Sequence, residues 1–197
     1  MKKQSTLFPE DEVPLLVELD LKEAEKIADQ IKSTVCVHCD KIEVVGSIRR
    51  QKVKVHDIDF VVVTKGDAGW RSIGEELKRL KAKPNNCSGN SVIKALLPCQ
   101  NGLFQVDFYR AKSSTFGIHL LVRTGSADHN VWLAGYAISK GMRIIYNEGL
   151  IKDGNVIAGE DEKEVFTSLE LPFPSPSERE VLENKPFWMS KQNNNIT

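Results

Sequence analysis

The sequence predicts an α+β chain: a mixed sheet with helices on one face, followed by a smaller mixed α/β lobe. Three observations carry this. Two early segments repeat apolar residues with helical spacing, and several segments between and after them alternate like strands. After Lys112 the pattern changes to a helix, short strands and a proline-stiffened loop. A chain of 197 residues has room for one ordinary domain or two small lobes.

Taken in order, residues 1–19 are rich in proline and acid and read as a flexible arm. Asp20 is placed to cap a helix carrying Leu21, Ala24, Ile27, Ala28 and Ile31 on one face. Lys41–Ser47 reads as a strand ending in a Gly-Ser turn, Asp57–Thr64 as a second strand, and Gly66–Gly69 as a loop. Trp70, Ile73, Leu77 and Leu80 make the inner stripe of a second helix. Ser91–Leu97 and Leu103–Arg110 read as strands joined by a hairpin turn at Asn101-Gly102. Ser126–Lys140 is a helix closed by Gly141. Met142–Leu150 and Val156–Ala158 form a small hairpin turning at Asp153-Gly154-Asn155. Glu160–Leu169 is a short helix with an acidic first turn. LPFPSPSERE is a loop leading to a final short helix, and 186–197 is a tail.

Lysine plus arginine equals aspartate plus glutamate, 27 each, so no global field draws the chain to a polyanion. Any such contact must come from local clusters such as Arg49, Arg50, Lys52 and Lys54. The Lys78, Arg79, Lys81, Lys83 run reads as a solvated helix face. No apolar run approaches a membrane span and the amino terminus has no signal-peptide core, so a cytoplasmic protein with reduced cysteines is expected. Cys36 and Cys39 form a single CxxC, half of the usual four-ligand zinc set. His56, His119 and His129 each read as a polar contact rather than a ligand, with His129 close enough to Asn130 to touch substrate. Trp132 and Tyr136, four apart on one helix, read as core.

One stretch carries chemistry: GSIRRQKVKVHDIDFVVV, from Gly46 to Val63. Strand alternation points Asp57 and Asp59 to one face and Ile58, Phe60 and Val62 to the other. In LFQVDFYR, Asp107 shares a face with Gln105 and Tyr109, opposite Phe104, Val106 and Phe108. If the two strands are neighbours, three carboxylates converge on a polar patch of an apolar sheet. Such a cluster resists joint ionisation unless a cation neutralises it. Oxygen-only donors suit two Mg²⁺ or Mn²⁺ ions, which can clamp the oxygens of a phosphoryl transfer. Gly46 lets a backbone approach a phosphate, Ser47 offers a hydroxyl, and Arg50 offers a bidentate fork. The apolar strand then serves to hold the carboxylates rigidly.

GSIRRQKVKVHDID, QVDFYRA, RTGSADHN, ISKGMRIIYNEGL and LELPFPSP together resemble the family X DNA polymerases, of the polymerase beta-like nucleotidyltransferases. The resemblance implies a nucleotidyltransferase palm over residues 20–118 and a thumb-like nucleotide-selection lobe over 119–185. It covers no amino-terminal lyase domain, which implies that the chain does not remove a 5′-deoxyribose phosphate. It implies that Asp57, Asp59 and Asp107 are catalytic metal ligands. It implies that Gly46, Ser47 and Arg50 bind triphosphate, that Thr124 and Gly125 turn beside the sugar, and that Asn130 contacts the base. The implied reaction adds dNMP from a dNTP to a primer 3′-hydroxyl on gapped or primer-template DNA, as in DNA repair, with release of pyrophosphate. A monomer is expected.

The chain departs from the family pattern in several places. Val122-Arg123 replaces an aromatic pair before Thr-Gly, and Ala134 replaces an arginine on the thumb helix. His56 replaces a glycine, and Gln105 replaces a cation two residues before the third aspartate. Val122-Arg123 and Ala134 motivate an alternative, a template-independent or ribonucleotide-adding terminal transferase. Another alternative is a non-catalytic clamp- or DNA-binding module. QSTLF resembles a bacterial sliding-clamp peptide, with Gln4 as polar anchor and Leu7 and Phe8 as apolar plugs.

Overall fold

The computed structural model describes residues 16–84, 88–99, 102–182 and 185–186. Its strands are β1 (Leu19–Asp20), β2 (Cys39–Val44), β3 (Lys54–Val55), β4 (Asp57–Thr64), β5 (Lys83–Pro84), β6 (Val92–Cys99), β7 (Gly102–Arg110), β8 (Met142–Ile145), β9 (Gly149–Lys152), β10 (Asn155–Ala158), β11 (Val181–Leu182) and β12 (Lys185–Pro186). Its helices are α1 (Leu21–Val35), α2 (Gly46–Arg49), α3 (Gly66–Arg79), α4 (Phe116–Thr124), α5 (Ala127–Ser139) and α6 (Glu162–Ser168).

The first core is built on a five-stranded sheet of order β2-β4-β7-β6-β5. Only the β4–β7 pairing within it is parallel, so the sheet is mixed. The register sets Ile58 opposite Val106, Asp59 opposite Asp107 and Phe60 opposite Phe108. Ile58, Phe60, Val62, Phe104, Val106 and Phe108 are buried under α1 and α3. The Phe60 and Phe108 rings stack at 4.6 Å. Burial of each such side chain contributes roughly 1.5–3 kcal/mol, enough to fix the register against a slip. Asp20 caps α1 as expected, its carboxylate accepting the Glu23 N–H at 2.9 Å.

A second core gathers Leu121, Leu133, Leu150, Val165, Phe166 and Leu169 between α4, α5, α6 and a β8–β9–β10 meander. A seam of Val45, Val61, Val63, Tyr109 and Phe116 joins the two. Helix α4 spans both, with Phe116 in the seam and Ile118 and Leu121 in the second core. The expected division between residues 118 and 119 therefore falls inside one helix. Among the described residues, no helix is long and apolar enough to cross a membrane.

Several elements differ from expectation. The first sheet strand begins at Cys39 and ends at Val44, because Gly46 (φ 64°) leaves extended geometry and Gly46–Arg49 winds into a helical turn. Residues 66–69 are the first turn of α3 rather than a loop: burial of Trp70 and Ile73 outweighs the weak helix propensity of the glycines. Leu80 lies beyond the helix end and is exposed. The expected hairpin is a three-stranded meander with a further turn before Gly149. A single 3-10 turn at Pro176–Glu178 lies within the expected loop, and a β11–β12 pair stands where the final short helix was expected. Residues 16–19 of the expected arm are docked: Leu16 bridges Leu103 and Leu19 is buried beside Val55. The hairpin joins Cys99 to Gly102, with residues 100–101 outside the described set. Trp132 and Tyr136 stack at 5.2 Å and are half-buried rather than enclosed.

Glu162 ties the lobes together. Arg49 of the first lobe donates to it at 2.8 and 3.2 Å, and the fully buried Arg179 at 2.5 Å. Burial pushes the Glu162 pKa up, but the hydrogen bonds from Arg49 and Arg179 win and hold it below the usual range. A depressed carboxylate stabilises the fold above its unfolded pKa and loses that contribution as pH falls through the folded value. Glu162→Gln is expected to cost about 3–5 kcal/mol in urea unfolding at pH 7, because Arg179 is left unpaired. The gap from wild type should shrink as pH drops below the ordinary glutamate range. An unchanged midpoint at pH 7 would show that the cluster does not hold the lobes.

Candidate active site

The β4–β7 register places Asp57, Asp59 and Asp107 on the sheet face opposite α1 and α3. Asp107 is 1% exposed, while Asp57 and Asp59 are partly exposed as residues. Burial pushes the Asp57 carboxyl up, and Asp107 adds to the rise. For Asp59 burial comes first, then repulsion from Asp57 and Asp107, and the pKa is pushed up to about 7. Arg123 and Lys94 offset part of this. The face is short of positive charge.

Asp107 is held by protein. The Lys94 ammonium pairs with its Oδ2, the Tyr109 hydroxyl donates to the same oxygen at 2.9 Å, and Gln105 donates to Oδ1 at 2.9 Å. Among the described residues, no three histidine, cysteine, aspartate or glutamate side chains are gathered closely enough to hold a metal ion. The sheet brings the three aspartates to one face, and their side chains stop short of a ligand cage. The donor chemistry nonetheless fits hard divalent cations: three carboxylates, two with raised pKa values that a cation would relieve.

Gly46 sits directly against Asp59. A Cβ built there would lie 2.2 Å from Asp59 Oδ2, and its φ of 64° is left-handed. Ser47 presents a buried Oγ with no hydrogen-bond partner among the described residues. Arg50 donates to the Thr124 carbonyl, and its Nε lies 3.5 Å from Glu180. Gly125 (φ 73°) packs on the Arg50 guanidinium. Gly46, Ser47, Arg50, Thr124 and Gly125 thus form one group against the acidic face. Asn130 is folded back: its Nδ2 donates to the Val122 carbonyl at 2.7 Å, and its buried Oδ1 has no partner among the described residues. Gln4, Leu7 and Phe8 lie outside the described residues.

His56 is exposed and 3.0 Å from Glu18. His129 is fully buried in contact with Phe166, which removes it from any substrate surface. Burial, then Arg179, pulls its pKa down to about 4. His119 is also lowered to about 4, by burial and Arg123. Cys36 is exposed and Cys39 buried, with the Cys39 thiol pushed up to about 11 by its burial. A cleft of about 580 Å³ lined by Thr64, Ser91, Arg110, Lys112 and His119 contains none of the three aspartates.

Sequence reasoning missed four contributors. Lys94 is a lone cation in an apolar strand, and the β6–β7 register sets it opposite Asp107. Tyr109 was placed on that face, but without its hydrogen bond to Asp107. Arg49 donates to the Thr124 hydroxyl at 2.6 Å, a contact between residues far apart in sequence. Arg123 lies 3.6 Å from the Tyr109 ring and 4.9 Å from the Tyr146 ring, and its Nε donates to the Tyr146 hydroxyl at 3.1 Å. A cation thus stands where an aromatic residue was expected.

Residues 119–180 match the DNA polymerase beta thumb family. The chain is also 29% identical over 160 residues to the DNA polymerase/3′-5′ exonuclease PolX of Bacillus subtilis (strain 168). That alignment covers 80% of this chain and 28% of the relative. The chain is thus similar to the polymerase beta thumb over residues 119–180 and to a PolX protein over most of its length.

Gly46→Ala is expected to destabilise the fold by roughly 1–3 kcal/mol, since a left-handed backbone and a clash with Asp59 combine. Urea unfolding checks this, and an unchanged midpoint would contradict the Gly46–Asp59 contact.

Proposed function

We propose that this family X DNA polymerase-like chain is a metal-dependent DNA nucleotidyltransferase. It adds dNMP to a primer 3′-hydroxyl, in short gaps of the kind left in DNA repair. The observation that carries the reading is Gly46 packed on Asp59. It joins a phosphate-binding turn to a face bearing three aspartates. The thumb match over residues 119–180 supplies the context.

Asp57, Asp59 and Asp107 would hold two Mg²⁺ or Mn²⁺ ions. When bound, the ions neutralise the phosphates and lower the cost of ionising the attacking hydroxyl. The side chains do the rest. Asp107 orients the primer 3′-hydroxyl and receives or directs its proton. The hydroxyl oxygen forms a bond to the α-phosphorus while the bond to the β-phosphate bridging oxygen breaks, and pyrophosphate leaves. Gly46 admits the triphosphate to close range. The unpartnered Ser47 hydroxyl donates to a phosphate oxygen. Arg50 turns its fork from the Thr124 carbonyl and Glu180 to the β and γ phosphates. Catalysis here rests on positioning and electrostatics. Thr124 and Gly125 form the wall beside the sugar, and Asn130 would leave the Val122 carbonyl to meet the base edge.

A second reading, ribonucleotide or untemplated addition, is favoured by Arg123 alone. A guanidinium between Tyr109 and Tyr146 offers donors where an aromatic ring would crowd a 2′-hydroxyl.

The test is primer extension on a one-nucleotide-gapped duplex with each dNTP and rNTP singly. The templated dNMP is expected, with Asp107→Ala slower by at least about 100-fold. Equal use of rNTPs or untemplated nucleotides would favour the second reading. No metal-dependent incorporation of any nucleotide would refute both.

A further inference from the structure

We infer that Lys94 is a built-in counter-cation of the acidic face, one that competes with metal for Asp107. The inference rests on the proposed metal-binding role of that face.

Strand β6 pairs antiparallel with β7, and Lys94 falls directly opposite Asp107. Its ammonium reaches Asp107 Oδ2 as an ion pair, with the lysine side chain 28% exposed and the aspartate 1% exposed. The Lys94 backbone is pinned from both sides by one hydroxyl: its N–H donates to Ser88 Oγ at 3.0 Å, and Ser88 Oγ donates to its carbonyl at 3.0 Å. Strand and register therefore hold the root of the side chain, while a flexible four-carbon stem carries the charge.

Among the described residues, the other side chains that hydrogen-bond Asp107 are neutral donors. Gln105 and Tyr109, two residues to either side, reach its two oxygens at 2.9 Å each. Among the described residues, Lys94 is the cation in direct ion pairing with Asp107. A buried carboxylate with no cation is costly, and two more carboxylates share this face. Lys94 offsets that cost in the absence of metal.

The same contact blocks the metal. Oδ2 already accepts from Lys94 and Tyr109, so a divalent ion reaches it only when the ammonium swings away. The carboxylates lie on one sheet face yet are not gathered as a ligand set among the described residues. That is the arrangement expected when a lysine occupies the place of the cation. Loading with metal then exchanges one positive charge for two and frees the ammonium toward the partly solvated edge of the face.

Mn²⁺ titration followed by the paramagnetic resonance of the free ion tests this on the full chain. Lys94→Met is expected to bind Mn²⁺ about 10-fold more tightly, because a repelling unit charge a few ångströms away is removed. It should also melt at lower temperature than wild type in chelator and recover with Mg²⁺. Lys94→Gln, which keeps a donor for Asp107, serves if the methionine variant does not fold, and should tighten binding equally. Lys94→Arg should bind as wild type. Unchanged or weaker Mn²⁺ binding by both neutral variants overturns the inference. Asp59→Asn separates the two levels. If it loses Mn²⁺ while the neutral variants match wild type, only the role of Lys94 falls. If it binds as wild type does, the metal-binding reading falls and takes this inference with it.

Discussion

The parallel pairing of β4 with β7 is the constraint on which the rest depends. It sets Phe60 on Phe108 in the core and, one residue earlier, Asp59 beside Asp107 on the opposite face. A slip of one residue would bury the acids and expose the aromatics, so the hydrophobic cost that fixes the core also fixes the charged face. The strain of gathering three carboxylates is borne by a strand whose Ile58, Phe60, Val61 and Val62 are completely buried. A strand held this firmly cannot relax to spread the charges apart. Repulsion is relieved instead through raised pKa values and through Lys94.

The proposed phosphate-binding group belongs to neither lobe alone. Arg49 and Arg50 leave the helical turn after Gly46 and end on Thr124, at the close of α4. Arg49 then continues to Glu162 and, through it, to the buried Arg179. Contact between the lobes and the proposed triphosphate binding would therefore both draw on Arg50, which donates to the Thr124 carbonyl here. Glu180, 3.5 Å from Arg50 and 2.6 Å from Lys52, supplies the anion that these cations contact in this structure.

How much of this was legible in sequence depended on whether a local pattern carried the information. Strand β4 was read with its bounds intact, because alternation and a valine run leave a single face for its acids. Helix α1 was read from its Asp20 cap and period. Helix α4 was not: FGIHLLVRT has almost no polar side to reveal a period, since it is buried between two cores. Residues 66–69 misled because glycine signals a loop locally, while Trp70 and Ile73 decide the matter through tertiary packing. In the candidate site, the three aspartates and the Gly46 turn were visible as a pattern of types. Lys94, Arg49 and the Arg123 sandwich were not, because each acts through a partner fixed by sheet register or lobe packing. Asn130 was picked out by resemblance, and its side chain rests here on the Val122 carbonyl.

Nucleotidyl transfer is proposed to take place on this face. The most direct measurement is pyrophosphate release on a gapped duplex, followed against dNTP concentration in Mg²⁺ for wild type and Asp59→Asn. Saturable release by wild type, with kcat lower by at least about 100-fold in the variant, is the expected result. Equal release by both proteins, or none from wild type at any concentration, would contradict it.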